Sequence, residues 1–313
     1  MARIALVFPG QGAQFVGMGH ALASEFDAAE RVFSRADNAL NESLSELCWQ
    51  GPEDKLRLTE NAQPAILATS IAYLEVLRQY GVSASVAAGL SLGEYSALVA
   101  AGSIKFEDAL RLVRVRGRIM QQAVPDGVGA MVAVVGLSAE LVDTVCQQAR
   151  SFGVVQPANY NCPGQVVISG ERAAVEEAAR IALGSGAKKA IPLAVSAPFH
   201  SSLMEPAALK MQAVLDTVCI QHAEIPVIAN ATALAVSTPE EIRSALIHQM
   251  ANPVLWEQSV RRLLAEGIDT FIEVGPGKTL TGFLKKISPG VACLKFDDRE
   301  SLETIIESGK VGC

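Results

Sequence analysis

Residues 82–101 read Val82-Ser83-Ala84-Ser85-Val86-Ala87-Ala88-Gly89-Leu90-Ser91-Leu92-Gly93-Glu94-Tyr95-Ser96-Ala97-Leu98-Val99-Ala100-Ala101. A short β-type run, Val82 to Ala88, meets a G-x-S-x-G and then a helix-like run from Glu94 to Ala101. A strand that turns abruptly into a helix lifts a serine Oγ into the open at the tip of the turn, and flanking glycines let the backbone approach closely without Cβ clashes. Ser91 is therefore the candidate nucleophile, against the blander alternative of a Gly/Ser turn with no chemistry. Just beyond it, the Leu92 amide stands at a helix N-terminus, where a free N–H and the positive end of the dipole can receive an oxyanion.

The same strand-turn-helix pattern opens the chain. Arg3 to Phe8 reads as a strand, Pro9-Gly10-Gln11-Gly12 as a turn, and Ala13 to Phe26 as a helix, with further helical periodicity over Ala28 to Trp49 and Ala65 to Gln79. Phe106 to Val124 is another helix, carrying Arg111, Arg114, Arg116 and Arg118, and Pro125-Asp126-Gly127-Val128-Gly129 marks a boundary. From Ala130 the pattern becomes strand, helix with Ser138 as N-cap, strand, strand, helix, strand, the β-α-β-β-α-β order of a ferredoxin-like unit. The expected fold class is α/β, with an α/β-hydrolase-like large domain (residues 1–127 and 198–313) and an inserted ferredoxin-like subdomain (residues 128–197). The chain returns through Pro198-Phe199-His200, a helix from Leu203 to Val218, a strand at Val227 to Asn230, further helices, and a late strand, Thr270 to Val274, ending in Gly275-Pro276-Gly277. The tail Glu307 to Cys313 is expected to fray.

Composition sets outer limits. At 313 residues, 50% hydrophobic and 19% charged, the chain has the make-up of a soluble globular protein. No stretch approaches the ~18 to 20 apolar residues of a membrane span, and the N-terminal apolar run is too short for a signal peptide, so a cytoplasmic protein without a membrane partner is expected. Cys48, Cys146, Cys162, Cys219, Cys293 and Cys313 form no C-x-x-C pair and no Cys/His cluster, which points to reduced thiols and no metal site. A net charge of -7 speaks against nucleic acid as a partner. A monomer is expected.

A serine hydroxyl needs a base, and there are four histidines to search. His20 lies in a helical run, His222 in a polar connection and His248 inside a helix-like stretch. His200 follows Ser196-Ala197-Pro198-Phe199, where the inserted unit ends and the main domain resumes, the kind of junction at which active sites collect. On spacing alone it reads equally well as a base or as a loop residue ahead of a helix. No carboxylate stands out to orient it, so a backbone carbonyl or a side-chain amide could do so. Arg116, taken alone, reads as one more exposed helix charge.

Six motifs occur in order: Pro9-Gly10-Gln11-Gly12; Gly89-Leu90-Ser91-Leu92-Gly93-Glu94-Tyr95; Arg116-Gly117 before Met120-Gln121; Ser196-Ala197-Pro198-Phe199-His200; Gln249 before Asn252-Pro253; and Glu273-Val274-Gly275-Pro276-Gly277. Together, from Arg3 to Ile287, they resemble the malonyl-CoA:acyl-carrier-protein transacylase family. The resemblance implies that Ser91 attacks the malonyl thioester, that His200 is its base, and that the main-chain carbonyl of Gln249 orients His200. It places the oxyanion between the amides of Gln11 and Leu92 and the malonate carboxylate on Arg116, a residue type suited to a two-bond grip on a carboxylate. Asn161, with Asn159, would lie near the pantetheine path, or the two would simply shape the turn before Pro163-Gly164. Phe199 would crowd an α-methyl group and so favour malonyl over methylmalonyl, by about 1 to 3 kcal/mol.

The family commonly has histidine before the nucleophile, where this chain has Leu90; activity is expected to survive. The implied reaction needs no cofactor, and its partners are malonyl-CoA and an acyl carrier protein, a small acidic protein for which Lys188-Lys189, Lys285-Lys286 and the Arg111 to Arg118 helix are candidate docking groups. Rival readings are a discrete acyltransferase of a polyketide pathway, a serine thioester hydrolase, and a non-catalytic carrier-binding subunit.

Overall fold

The computed structural model describes residues 3–125, 127–195, 197–296 and 298–309. Asp126 of the boundary turn, Ser196 of the motif ending at His200, and residues 310–313 of the tail lie outside them. Strand β1 (Ile4–Phe8) leads through helices α1 (His20–Glu25), α2 (Asp27–Leu40), α3 (Leu44–Gln50), α4 (Glu53–Arg57) and α5 (Thr59–Gln79) to strand β2 (Val86–Gly89), followed by α6 (Gly93–Ala100) and α7 (Phe106–Gln121). A second group follows: β3 (Gly129–Val135), α8 (Ala139–Ala149), β4 (Val155–Cys162), β5 (Gln165–Glu171), α9 (Arg172–Gly184) and β6 (Lys189–Pro192). The chain closes with α10 (Glu205–Leu215), β7 (Val227–Ile228), β8 (Ala235–Val236), α11 (Pro239–Gln249), α12 (Trp256–Ala265), β9 (Thr270–Glu273), α13 (Thr279–Ile287), β10 (Ala292–Lys295) and α14 (Arg299–Gly309).

Two sheets result, as a mixed α/β chain requires. The larger has the order β10-β9-β1-β2-β7-β8 and is parallel except for its last strand. Its central strands are buried along their whole length, which is why Ile4-Ala5-Leu6-Val7-Phe8 is apolar throughout and does not alternate. The smaller sheet is antiparallel, in the order β4-β5-β3-β6. One of its faces packs on α8 and α9 through Val132, Val134, Val166 and Ile168, whereas Met131, Ala133 and Val167 on the other face join the core of the large sheet. An isolated parallel bridge between Asn159 and Val254 ties the two parts together.

Several elements depart from the sequence reading. The helix expected over Ala13 to Phe26 is confined to α1, because Gly17 and Gly19 adopt φ of 101° and 75°, outside helical space. The helix expected over Ala28 to Trp49 breaks at Asn41, whose left-handed φ of 54° ends α2. In the other direction, α5 starts at Thr59 and not at Ala65, carrying Pro64 inside it, because its first turn is packed against α7. Strand β10 and helix α14 have no counterpart in the sequence reading.

Candidate active site

Strands β1 and β2 are neighbours in register, with Phe8 opposite Gly89, so the turns that leave their carboxyl ends lie side by side. Those turns are Pro9-Gly10-Gln11-Gly12 and the Ser91 elbow, and the Leu90 N–H donates to the Phe8 carbonyl across them. The glycines have steric reasons. A β-carbon on Gly89 would strike the backbone of Gly93, one on Gly93 would strike the Phe8 carbonyl, and one on Gly10 would strike the Leu90 carbonyl. Ser91 at the tip takes a left-handed φ of 53°. Beneath the turns, the buried Glu273 carboxylate receives the N–H groups of Leu280 and Thr281 at the start of α13, and Gly275 packs against Pro9.

His200 reaches the elbow from the connection that follows β6. It too has a left-handed φ, 59°, and its Nε2 lies 2.7 Å from Ser91 Oγ. Its Nδ1 lies 2.8 Å from the main-chain oxygen of Gln249. A carbonyl only accepts, so the Nδ1 proton is fixed there and Nε2 is left with a lone pair toward the serine hydroxyl. Gln249 is the last residue of α11, where helix carbonyls lack intrahelical partners and the dipole is negative. That helix end does the orienting that a carboxylate would otherwise do. Burial, then the nearby charge of Arg116, pull the imidazole down to about 4. It is therefore neutral, and able to take a proton, across the physiological range.

Arg116 is not the exposed helix charge that its own element suggested: it is 1% exposed. Gly117 allows this. A β-carbon there would sit 2.6 Å from the Glu60 Cα, so α7 rests directly on the first turn of α5 and turns Arg116 inward. Its guanidinium donates to Gln63 Oε1 at 2.8 Å, Gln249 Oε1 at 2.8 Å and Ser91 Oγ at 3.1 Å, and lies over the Tyr95 ring. Among the described residues no carboxylate forms an ion pair with it, and its Nε–H has no acceptor. Burial works against its charge. A buried, unpaired cation beside a nucleophile is a receptor for an anionic group carried by the substrate.

These residues line a single cleft of about 520 Å3 between the two sheets, together with Gln11, Leu92, Asn161 and Phe199. Among the described residues the main-chain N–H groups of Gln11 and Leu92 have no acceptor, and the buried Asn161 Oδ1 is unpartnered. Every candidate site residue named from the sequence therefore borders the cleft or, for Gln249, directly contacts residues that do. No group of three or more His, Cys, Asp or Glu among the described residues could hold a metal ion, and no described helix is long and apolar enough to cross a membrane. The Arg111 to Arg118 helix offers little free charge, since Arg111 pairs with Asp108, Arg114 with Glu42 and Arg118 with Glu60. Lys286, by contrast, reaches Gln165 on the cleft wall.

The sequence reading assigned no role to four residues, of which Glu94 and Met120 appear in it only as members of motifs. Gln63 accepts from the guanidinium and donates to the Met120 sulfur, Asn230 holds the elbow by accepting the Ser91 N–H at 2.5 Å and donating to the Gly89 carbonyl at 2.7 Å, and the buried Glu94 accepts from the Asn230 N–H. The available signals were polar groups in apolar company: Gln63 among Ala62, Pro64 and Ala65, and Glu94 within a helix that is otherwise wholly uncharged.

Residues 5–289 match the acyl transferase domain. The malonyl CoA-acyl carrier protein transacylase of Bacillus subtilis (strain 168) is 49% identical over 311 residues, covering 99% of this chain and 98% of that protein. That of Escherichia coli (strain K12) is 43% identical over 308 residues, covering 98% and 100%. Among solved structures, the acyl-carrier-protein-S-malonyltransferase from Bartonella henselae aligns with a TM-score of 0.96 at 43% identity, covering 99% of this chain and 100% of that one. A malonyl-transacylase solved in complex with a type II PKS acyl-carrier protein gives 0.96 at 44% identity, covering 98% and 100%. Similarity of this depth runs through both sheets and the whole cleft, and the chain belongs to the malonyl CoA-acyl carrier protein transacylase family of acyl transferases.

Proposed function

We propose that the chain moves a malonyl group from malonyl-CoA to the phosphopantetheine thiol of an acyl carrier protein, through a malonyl ester on Ser91, in supply of fatty acid synthesis. The observation that carries this reading is the buried Arg116 beside the Ser91–His200 pair, in direct ion-pair contact with no carboxylate among the described residues. An acetyl group would leave that cation unanswered; a malonyl carboxylate answers it.

In the first half-reaction His200 Nε2 takes the Ser91 hydroxyl proton as Oγ attacks the thioester carbonyl carbon. The resulting oxyanion is received by the N–H groups of Gln11 and Leu92. Collapse breaks the C–S bond, and the proton on Nε2 leaves with the CoA sulfur. The second half-reaction runs the same steps in reverse order with the carrier thiol as attacking group, so that Ser91 regains its proton. The protein needs only its own side chains and amides for each step. Phe199 stands where an α-methyl group would crowd it, Asn161 offers its unpartnered oxygen to the pantetheine arm, and Lys285 and Lys286 meet the acidic carrier at the cleft mouth.

Intact-mass measurement after brief exposure to malonyl-CoA, acetyl-CoA or methylmalonyl-CoA tests the reading. A malonyl-sized adduct is expected on the wild type, none on Ser91→Ala, and on Arg116→Ala a malonylation rate lower by roughly 100-fold with acetylation much less affected. Absence of any adduct on the wild type, with free malonate accumulating, would assign a hydrolase instead.

A further inference from the structure

Glu94 is a carboxyl group buried behind the nucleophile turn, 1% exposed, and the transfer steps do not use it. Its Oε2 receives two hydrogen bonds, from the Asn230 main-chain N–H at 2.9 Å and from Gln249 Nε2 at 2.8 Å. Each partner passes the constraint on. Asn230 holds both sides of the elbow through the Ser91 N–H and the Gly89 carbonyl. Gln249 spends its second amide hydrogen on the Ser91 carbonyl at 2.9 Å and presents its amide oxygen to Arg116.

The orientation of that amide follows from chemistry. A carboxylate and a carbonyl can only accept, and a guanidinium can only donate, so one arrangement satisfies all three neighbours. Turned over, the amide would set oxygen against oxygen at both Glu94 and Ser91, and N–H against N–H at Arg116. Removing the Glu94 acceptor removes the strongest reason for the arrangement that serves the guanidinium.

We infer that Glu94 is a positioning residue for substrate selection: by fixing the Gln249 amide it holds the Arg116 guanidinium in the geometry that grips the substrate carboxylate, while through Asn230 it keeps the nucleophile turn in register with that grip. The charged and titratable groups facing it are Arg116 from α7 and Tyr95 beside it on α6. Burial raises the Glu94 carboxyl, and its hydrogen bonds and Arg116 pull it back. Both acceptor bonds are available to either protonation state, because Oε2 alone makes them.

The inference rests on malonyl transfer being the reaction, and the test separates the two. Rates of Ser91 acylation by malonyl-CoA and by acetyl-CoA are measured by quenched intact mass on the wild type, Glu94→Ala, Glu94→Gln and Glu94→Asp, each checked for folding by circular dichroism. A wild type that takes no malonyl overturns the functional reading. With a malonylated wild type, the malonyl-to-acetyl ratio is expected to fall at least about tenfold in Glu94→Ala and to return to within about threefold of the wild type in Glu94→Gln, whose amide oxygen can accept the same two bonds. If the alanine variant does not fold, Glu94→Asp, which shortens the reach to Gln249, carries the same expected fall. A ratio unchanged in the folded variants, with both rates lowered alike, would show that Glu94 only supports the fold and would overturn the inference.

Discussion

His200 Nδ1 meets the main-chain oxygen of Gln249, 2.8 Å away at the end of α11, so the proposed base is oriented by a helix terminus. Main-chain support cannot be removed by exchanging the Gln249 side chain. It also leaves the imidazole without a neighbouring negative side chain to raise it, and burial holds it near about 4 against an ordinary 6.5. Because Nε2 must be unprotonated to accept the serine proton, the rate of acylation is expected to stay level as pH falls through 6.5 and to halve near about 4. Quenched-flow acylation over that range checks it; a midpoint near 6.5 would mean that the buried environment does not control the base.

In the proposed function the Phe199 ring bears on the α-carbon of the acyl group. It is buried and lines the cleft one residue before the base. Phe199→Ser is expected to raise acylation by methylmalonyl-CoA relative to malonyl-CoA by about tenfold, in keeping with ~1 to 3 kcal/mol for one steric contact. Competition between the two thioesters, read by adduct mass, measures the ratio directly.

Gly117 sets how deeply α7 can sink against α5. Gly117→Ala gains helix propensity of up to about 1 kcal/mol but meets the backbone of Thr59 and Glu60, for an overpacking cost of about 1 to 3 kcal/mol. The expected result is a lower urea midpoint, together with a reduced malonyl-to-acetyl ratio, because Arg116 moves with the helix. A variant as stable as the wild type would show that the two helices part freely.

The Glu94 carboxyl is raised from 4.5 to about 7, burial being the main cause. The folded state therefore binds a proton that the unfolded state releases, and the stability this contributes is full below 4.5 and lost as pH rises through 7. Glu94→Gln resembles the protonated form at every pH. Its stability relative to the wild type is expected to grow between about pH 5 and about pH 8, measured by urea unfolding at each. His200 acts in the opposite sense between 4 and 6.5 but is common to both proteins, so it drops out of the difference.

How much of this was legible beforehand depends on how local each cause is. The elbow was readable because Gly89, Ser91 and Gly93 carry their steric reasons within five residues. The two-sheet plan was readable because the strand-helix rhythm changes at Gly129. His200 stood out only by elimination and by its place at a junction. Arg116 could not be told from Arg111, Arg114 or Arg118 by periodicity, since what buries it is a contact between α7 and α5 that involves Thr59 and Glu60. The roles of Glu94, Asn230 and Gln63 depend on partners as far as 155 residues away in the chain, beyond the reach of any pattern in a window. The broken helices before Trp49 were missed for the opposite reason, because Gly17, Gly19 and Asn41 override a periodicity that is real.

Ser91 and His200 share a backbone conformation that disfavours any residue with a side chain, by about 1 to 2 kcal/mol each. The two residues proposed to do the chemistry are thus among the least comfortable of the described residues, and glycine at position 91 would relieve the chain while abolishing the proposed ester. Selection for heat resistance alone would drift toward such silent proteins. In engineering this enzyme, a rise in melting temperature at either position should be read as a sign of lost catalysis, and thermostability is better sought in the outer helices.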